Sequence, residues 1–114
     1  MDSTTQQQDD GSLAFLQIKP DETNQHYNCP ETTQQKLTNL SFWVCGMIKG
    51  IKTKFGDERY LVLVKFNKDD KMADARKFFT NSREIKYTLD QIAERNAFPR
   101  KATMRASGTR YWIE

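Results

Sequence analysis

The sequence predicts one mainly β domain of five strands and a single helix, in the order β-β-β-α-β-β, behind a polar and acidic N-terminal tail. Three observations lead there. Two β-prone apolar runs, residues 42–48 and 60–66, bracket a Gly- and Lys-rich connection. After Asn81 the apolar spacing changes from period two to the period of a helix. Composition also splits the chain near residue 36. Residues 1–35 hold one Lys and six Asp or Glu, a net −5, whereas residues 36–114 hold seventeen Lys or Arg and nine acids, a net +8.

Length and composition bound the rest. The chain has 114 residues, 37% of them hydrophobic, which favours one domain with a modest core that buries about 60–65% of the unfolded surface. No stretch approaches the roughly 18 apolar residues needed to cross a bilayer. Met1-Asp2-Ser3-Thr4-Thr5 lacks a basic and an apolar region, so no secretory signal is expected and cytoplasmic residence is the default. Cys29 and Cys45 match no zinc spacing, and His26 is the single histidine. Neither a metal site nor a Ser-His-Asp or Cys-His centre is expected.

Residues 1–36 form the expected tail, largely disordered by composition. Within it, residues 13–18 (LAFLQI) are a short apolar island cut off by Pro20, read either as an extra edge strand or as a motif for a protein partner. The domain is expected over residues 37–114. Its first strand covers residues 42–48, and Gly46 marks a bulge or bend. The second strand follows a connection too long for a two-residue turn, which predicts a long-looped hairpin. Phe42, Trp43, Tyr60 and Phe66 are assigned to the core. A turn at residues 67–71 leads to a third strand near residues 75–80. Asn81 and Glu84 suit a capping box, and Ile85, Leu89, Ile92 and Ala93 form one helix face that ends near Asn96. Residues 100–106 alternate, Ser107-Gly108 makes a turn, and residues 109–113 are the last strand.

The connection Gly50-Ile51-Lys52-Thr53-Lys54-Phe55-Gly56-Asp57-Glu58-Arg59-Tyr60 is the most informative stretch. It carries cations and an aromatic ring between two strands. Lysine and arginine displace counterions condensed on phosphates. An exposed ring stacks on any base, for roughly 1–3 kcal/mol per base. The element order is that of the OB-fold, a five-stranded, partly open Greek-key barrel. With the basic first hairpin, Arg-Lys-Phe-Phe at 76–79 and Arg-Tyr-Trp at 110–112, residues 37–114 resemble the small OB-fold single-stranded-DNA-binding proteins that phages and mobile elements encode. The chain lacks the Gly/Pro-rich C-terminal tail and acidic tip of the bacterial housekeeping version, so partner docking and tetramerisation of that version are not carried over.

That resemblance implies a non-catalytic protein of DNA replication or recombination, acting in the cytoplasm of a bacterial or phage-infected cell. It implies single-stranded DNA as partner, with RNA as an alternative, and no cofactor. Binding would use the face of strands two and three and the loops beside it. Lys49, Lys52, Lys54, Phe55 and Arg59 come from the first hairpin. Lys65 lies on strand two, in the set Arg59, Leu61, Leu63 and Lys65 whose charged ends mark the solvent face. Arg76, Lys77 and Phe79 come from strand three, with Phe78 the alternative ring, and Arg105, Arg110 and Trp112 from the last hairpin, with Tyr111 the alternative to Trp112. The alternative is a protein-interaction module or inhibitor of the same origin, working through the N-terminal tail. Adjacent acids Asp57-Glu58 and Asp69-Asp70 point apart and make no metal cage, and no GxxxxGK[ST], HExxH or GxSxG pattern occurs.

Overall fold

A computed structural model describes residues 9–16 and 27–114. The domain is a five-stranded antiparallel sheet in the order β3-β2-β1-β4-β5, crossed by one full helix. The strands are β1 (Ser41–Thr53), β2 (Gly56–Lys65), β3 (Arg76–Thr80), β4 (Arg100–Ser107) and β5 (Arg110–Ile113). The helices are α1 (Leu13–Leu16), α2 (Gln34–Leu37) and α3 (Arg83–Glu94), with one 3-10 turn at Met72–Asp74. Among the described residues, no helix is long and apolar enough to cross a membrane.

β1 is the axis of the sheet. Its start, Ser41 to Val44, pairs with β4, and Trp43 to Thr53 pair with β2. One strand serves both neighbours because it bends. The register shifts between Val44 and Gly46 and again between Ile48 and Ile51, where Gly50 takes φ +69°. Each bulge adds twist and re-aims the strand, and the left-handed conformation at the second selects glycine. At the first, a Cβ on Gly46 would lie 3.1 Å from the Tyr27 hydroxyl.

Gly50 therefore sits inside a strand rather than at the start of a loop. The long connection expected between the first strands is instead a two-residue turn, Lys54-Phe55, between Thr53 and Gly56. Thr53 organises it. Its hydroxyl accepts from the Phe55 N–H at 3.1 Å and from Arg59 Nη1 at 3.3 Å, and donates to the Gly56 carbonyl at 3.3 Å.

Alternation along each strand builds the core. Phe42 and Val44 of β1, Val62 and Val64 of β2, Phe78 of β3, Ala102 and Met104 of β4 and Ile113 of β5 face one way, and Ile85 and Leu89 of α3 cover them. Both faces of β2 are filled, since Leu61 and Leu63 are also buried. The expectation that Arg59, Leu61, Leu63 and Lys65 form a solvent face therefore fails in the middle. Leu61 lies between Ile48 and Phe79, and Leu63 between Gly46 and Lys77, with Tyr27 seated over Gly46. Phe66, expected in the core, is exposed just past the end of β2.

α3 starts one residue later than the capping box predicts. Ser82 is the N-cap, accepting from the Ile85 N–H at 3.2 Å and donating to the Tyr111 carbonyl at 2.7 Å. That shift puts Ile85 at the third helical position, so Glu84 no longer faces the cap, and it binds Arg110 instead. The helix ends in a Schellman motif. Asn96 takes φ 52°, its N–H reaches the Ala93 carbonyl, and the Ala97 N–H reaches the Ile92 carbonyl. Asp90 fastens the helix to the sheet. It accepts from the Tyr60 hydroxyl at 2.9 and 3.1 Å and from Lys49 Nζ at 2.9 Å.

The two edge strands do not pair, so the sheet is not closed into a barrel. The free edge of β3 is taken by the segment that precedes β1. The Thr32 N–H donates to the Lys77 carbonyl at 2.7 Å, and the Lys77 N–H to the Pro30 carbonyl at 3.1 Å. From there the chain enters α2, where the Thr80 hydroxyl hydrogen-bonds the Gln34 side chain. Leu37 enters the core at 1% exposure. Asn39, at φ 67°, turns the chain into β1 and donates to the Met104 carbonyl. The domain boundary that composition suggests at residue 37 thus falls inside a packed segment. The apolar island at residues 13–18 is helical over Leu13–Leu16 rather than an edge strand, and residues 17 and 18 lie outside the described residues.

Leu37→Ala is expected to destabilise the domain by about 2–5 kcal/mol, the cost of a buried leucine cavity, measured by urea unfolding. A loss below about 1 kcal/mol would mean that the segment before β1 is not part of the folded unit. Asp90→Asn is expected to cost about 1 kcal/mol at neutral pH. Partial burial raises the Asp90 carboxyl, but the bonds from Lys49 and Tyr60 outweigh it and leave the group below the usual carboxylate range. Its contribution is therefore present above about pH 4 and lost as the pH falls through the depressed folded-state value. Wild type and variant should converge in acid; a gap that persists there would assign the loss to packing.

Candidate nucleic-acid interface

Both edge strands contribute a residue to one groove. Phe79 of β3 and Tyr111 of β5 line it, with Thr53, Lys54, Phe55 and Arg59 from the β1–β2 tip and residues 31–35 as the far wall. Its volume is about 520 Å³. The tip wall is cationic. The far wall is Glu31, Thr32, Thr33, Gln34 and Gln35, polar and without a cation.

Three side chains form a stack along the cationic wall. The Arg59 guanidinium lies 5.2 Å from the Phe79 ring centre and 6.0 Å from that of Phe55. Lys54 Nζ stands 5.0 Å from the Phe55 ring centre. Each contact lies within cation–π range. Phe55 is 73% exposed, because a turn at the end of a hairpin offers it no core to join. Period two sends Phe78 into the core and leaves Phe79 half-buried on the outer face.

The structure sorts the twelve residues expected at the site. Lys54, Phe55, Arg59 and Phe79 meet in the groove. Lys52 is exposed on the same hairpin. Lys49 is turned the other way, onto Asp90 and the Tyr60 ring. Lys65 lies at the far end of β2, opposite Trp43. Arg76 caps the Ala75 and Ala73 carbonyls, and Lys77 Nζ donates to the Tyr27 carbonyl at 2.8 Å.

In the last hairpin, Arg105 reaches Glu114 and Asn39, and Arg110 makes a two-pronged bond to Glu84 at 2.7 and 2.8 Å. The turn expected to face the first hairpin with free cations is thus neutralised. The Glu84 carboxyl is held low by that bond and the Arg110 guanidinium raised. Trp112 stands outside the groove, under Arg110 at 4.6 Å and bonded to Glu114; its neighbour Tyr111 lines the groove instead. Tyr111 and Ile113 share the inner side of β5, and the buried Ile113 was the signal in the sequence that fixes this parity.

Residues 31–35 were missed because their composition matches a tail. The one signal available was Thr33 as an N-cap, accepting from the Lys36 N–H at 3.2 Å, ahead of the apolar Leu37. Among the described residues, no group of three or more His, Cys, Asp or Glu is placed to hold a metal ion. Cys29 and Cys45 are free and half-buried. Burial pushes both thiols up, which lowers their thiolate fraction. His26 lies outside the described residues.

No curated protein and no solved structure matches the chain. A family model described as a domain of unknown function, DUF8468, matches residues 28–114. That span takes in the five strands, α3 and the segment that walls the groove, and the chain belongs to the DUF8468 family.

Proposed function

We propose that this domain is an OB-like module that binds single-stranded nucleic acid, DNA in the first instance, in the groove between the β1–β2 tip and residues 31–35. It would act without catalysis, holding single strands during replication or recombination. The observation that carries the reading is the exposed Phe55 ring backed by Arg59 and Phe79. A base stacks on such a ring whatever its identity, and the adjoining Lys54 and Arg59 meet the phosphates. The β-β-β-α-β-β order and the bent first strand, paired on both sides, support the OB-like assignment. On the far wall Gln35 offers an uncharged amide to base edges, beside the carboxylate of Glu31.

Fluorescence titration with oligothymidine at two salt concentrations tests the reading. Binding should weaken steeply with salt. Lys52→Ala/Lys54→Ala should flatten the salt slope by about 1.4, two phosphate contacts at roughly 0.7 each for a single strand. Phe55→Ala should weaken binding about tenfold at either salt, through loss of one stacked base. No binding at low salt would end the proposal and leave the groove to a protein partner.

A further inference from the structure

We infer that the outward face of the sheet carries a second nucleic-acid station, centred on Trp43, and that one strand spans both stations. This extension rests on the groove reading above. Trp43 sits on β1 with its back to the core, between the buried Phe42 and Val44. Its direct cross-strand partners are both lysines, Lys65 on β2 and Lys101 on β4. Residues opposed in this way share a face, with Cβ atoms about 5 Å apart. A third, Lys68, reaches over from the turn after β2 and places its Nζ 5.2 Å from the Trp43 ring centre.

The cations around Trp43 differ from those that ion pairs neutralise. Lys49, Arg105 and Arg110 are each matched to a carboxylate. Among the described residues, Lys65, Lys68 and Lys101 have no carboxylate within ion-pair distance. The acids nearest in sequence, Asp69 and Asp70, share the turn with Lys68, and Asp70 is occupied in accepting the Asn67 N–H. Three unpaired cations around one half-buried indole concentrate positive potential on an aromatic face. That is the chemistry of the groove, repeated at the other end of the same strand. Lys68, on an exposed turn, covers the ring with a flexible side chain that a base can displace.

Geometry links the stations. Trp43 and Thr53 are ten residues apart on β1, roughly 30 Å at strand rise. A stacked single strand covers that distance in roughly nine nucleotides at 3.4 Å each, and an extended one in fewer. Between them Tyr27 lies over Gly46 and is itself half-buried, so a strand joining the stations passes over or beside Tyr27. The inferred footprint falls within the 4–16 nucleotides that one OB-type domain engages.

The test uses the full chain carrying Trp112→Phe, which leaves Trp43 as its one tryptophan of the two. Oligothymidine of about twelve nucleotides should quench Trp43 emission. Adding Lys65→Ala/Lys101→Ala, which removes no core residue, should weaken that oligonucleotide about tenfold. Binding of about four nucleotides, which the Phe55 groove accommodates alone, should change less than about twofold. If the long oligonucleotide binds but Trp43 emission or the double variant's affinity is unchanged, the second station is wrong and the groove reading stands. If neither length binds, both fall.

Discussion

The structure depends on what occupies the free edge of β3. A sheet of five strands has two edges, and an exposed edge is a row of unsatisfied backbone groups. Here the short β5 does not reach across to β3. Pro30 and Thr32 take the edge through two backbone hydrogen bonds to Lys77. The same segment then supplies Leu37 to the core and Gln34 to Thr80. Filling the seam with a polar segment rather than a strand leaves room beside it, and that room is the groove. The opening is therefore a by-product of how the sheet is sealed.

Charge pairing then decides where cations remain available. Glu84, Asp90 and Glu114 each draw a basic residue out of circulation. Among the cations outside those pairs, Lys54 and Arg59 stand at the β1–β2 tip and Lys65, Lys68 and Lys101 around Trp43. Exposed ion pairs of this kind add little stability. Their effect is on the field, since they neutralise Lys49, Arg105 and Arg110 locally.

Much of this architecture is legible in the sequence because it rests on local periodicity. The continuous β-prone run at residues 60–66 and the stripe of Ile85 and Leu89 identify a strand and a helix directly, and Phe78-Phe79 announces one ring in and one out. What periodicity cannot carry is pairing between distant residues. Glu84 suits a capping box by spacing, yet it belongs to Arg110, twenty-six residues on. Lys49 suits the basic hairpin, yet it belongs to Asp90. Gly50 looks like the start of a loop because a left-handed glycine ends strands as readily as it bulges them. Residues 27–36 read as tail because they are mostly polar, and their attachment uses backbone groups and the single side chains Tyr27 and Gln34, which make no periodic pattern.

The turn at Lys54-Phe55 is held on three sides by the Thr53 hydroxyl, and Phe55 leans on a guanidinium that is itself braced by Phe79. A recognition ring on a slack loop must be ordered at each encounter, which slows capture and subtracts from affinity. A ring on this hairpin is a finger already extended. Encounter with a partner is then governed by diffusion and electrostatic steering, and residence time by how well the stack is matched. Under the proposed reading, such a tip suits rapid exchange along a repetitive polymer.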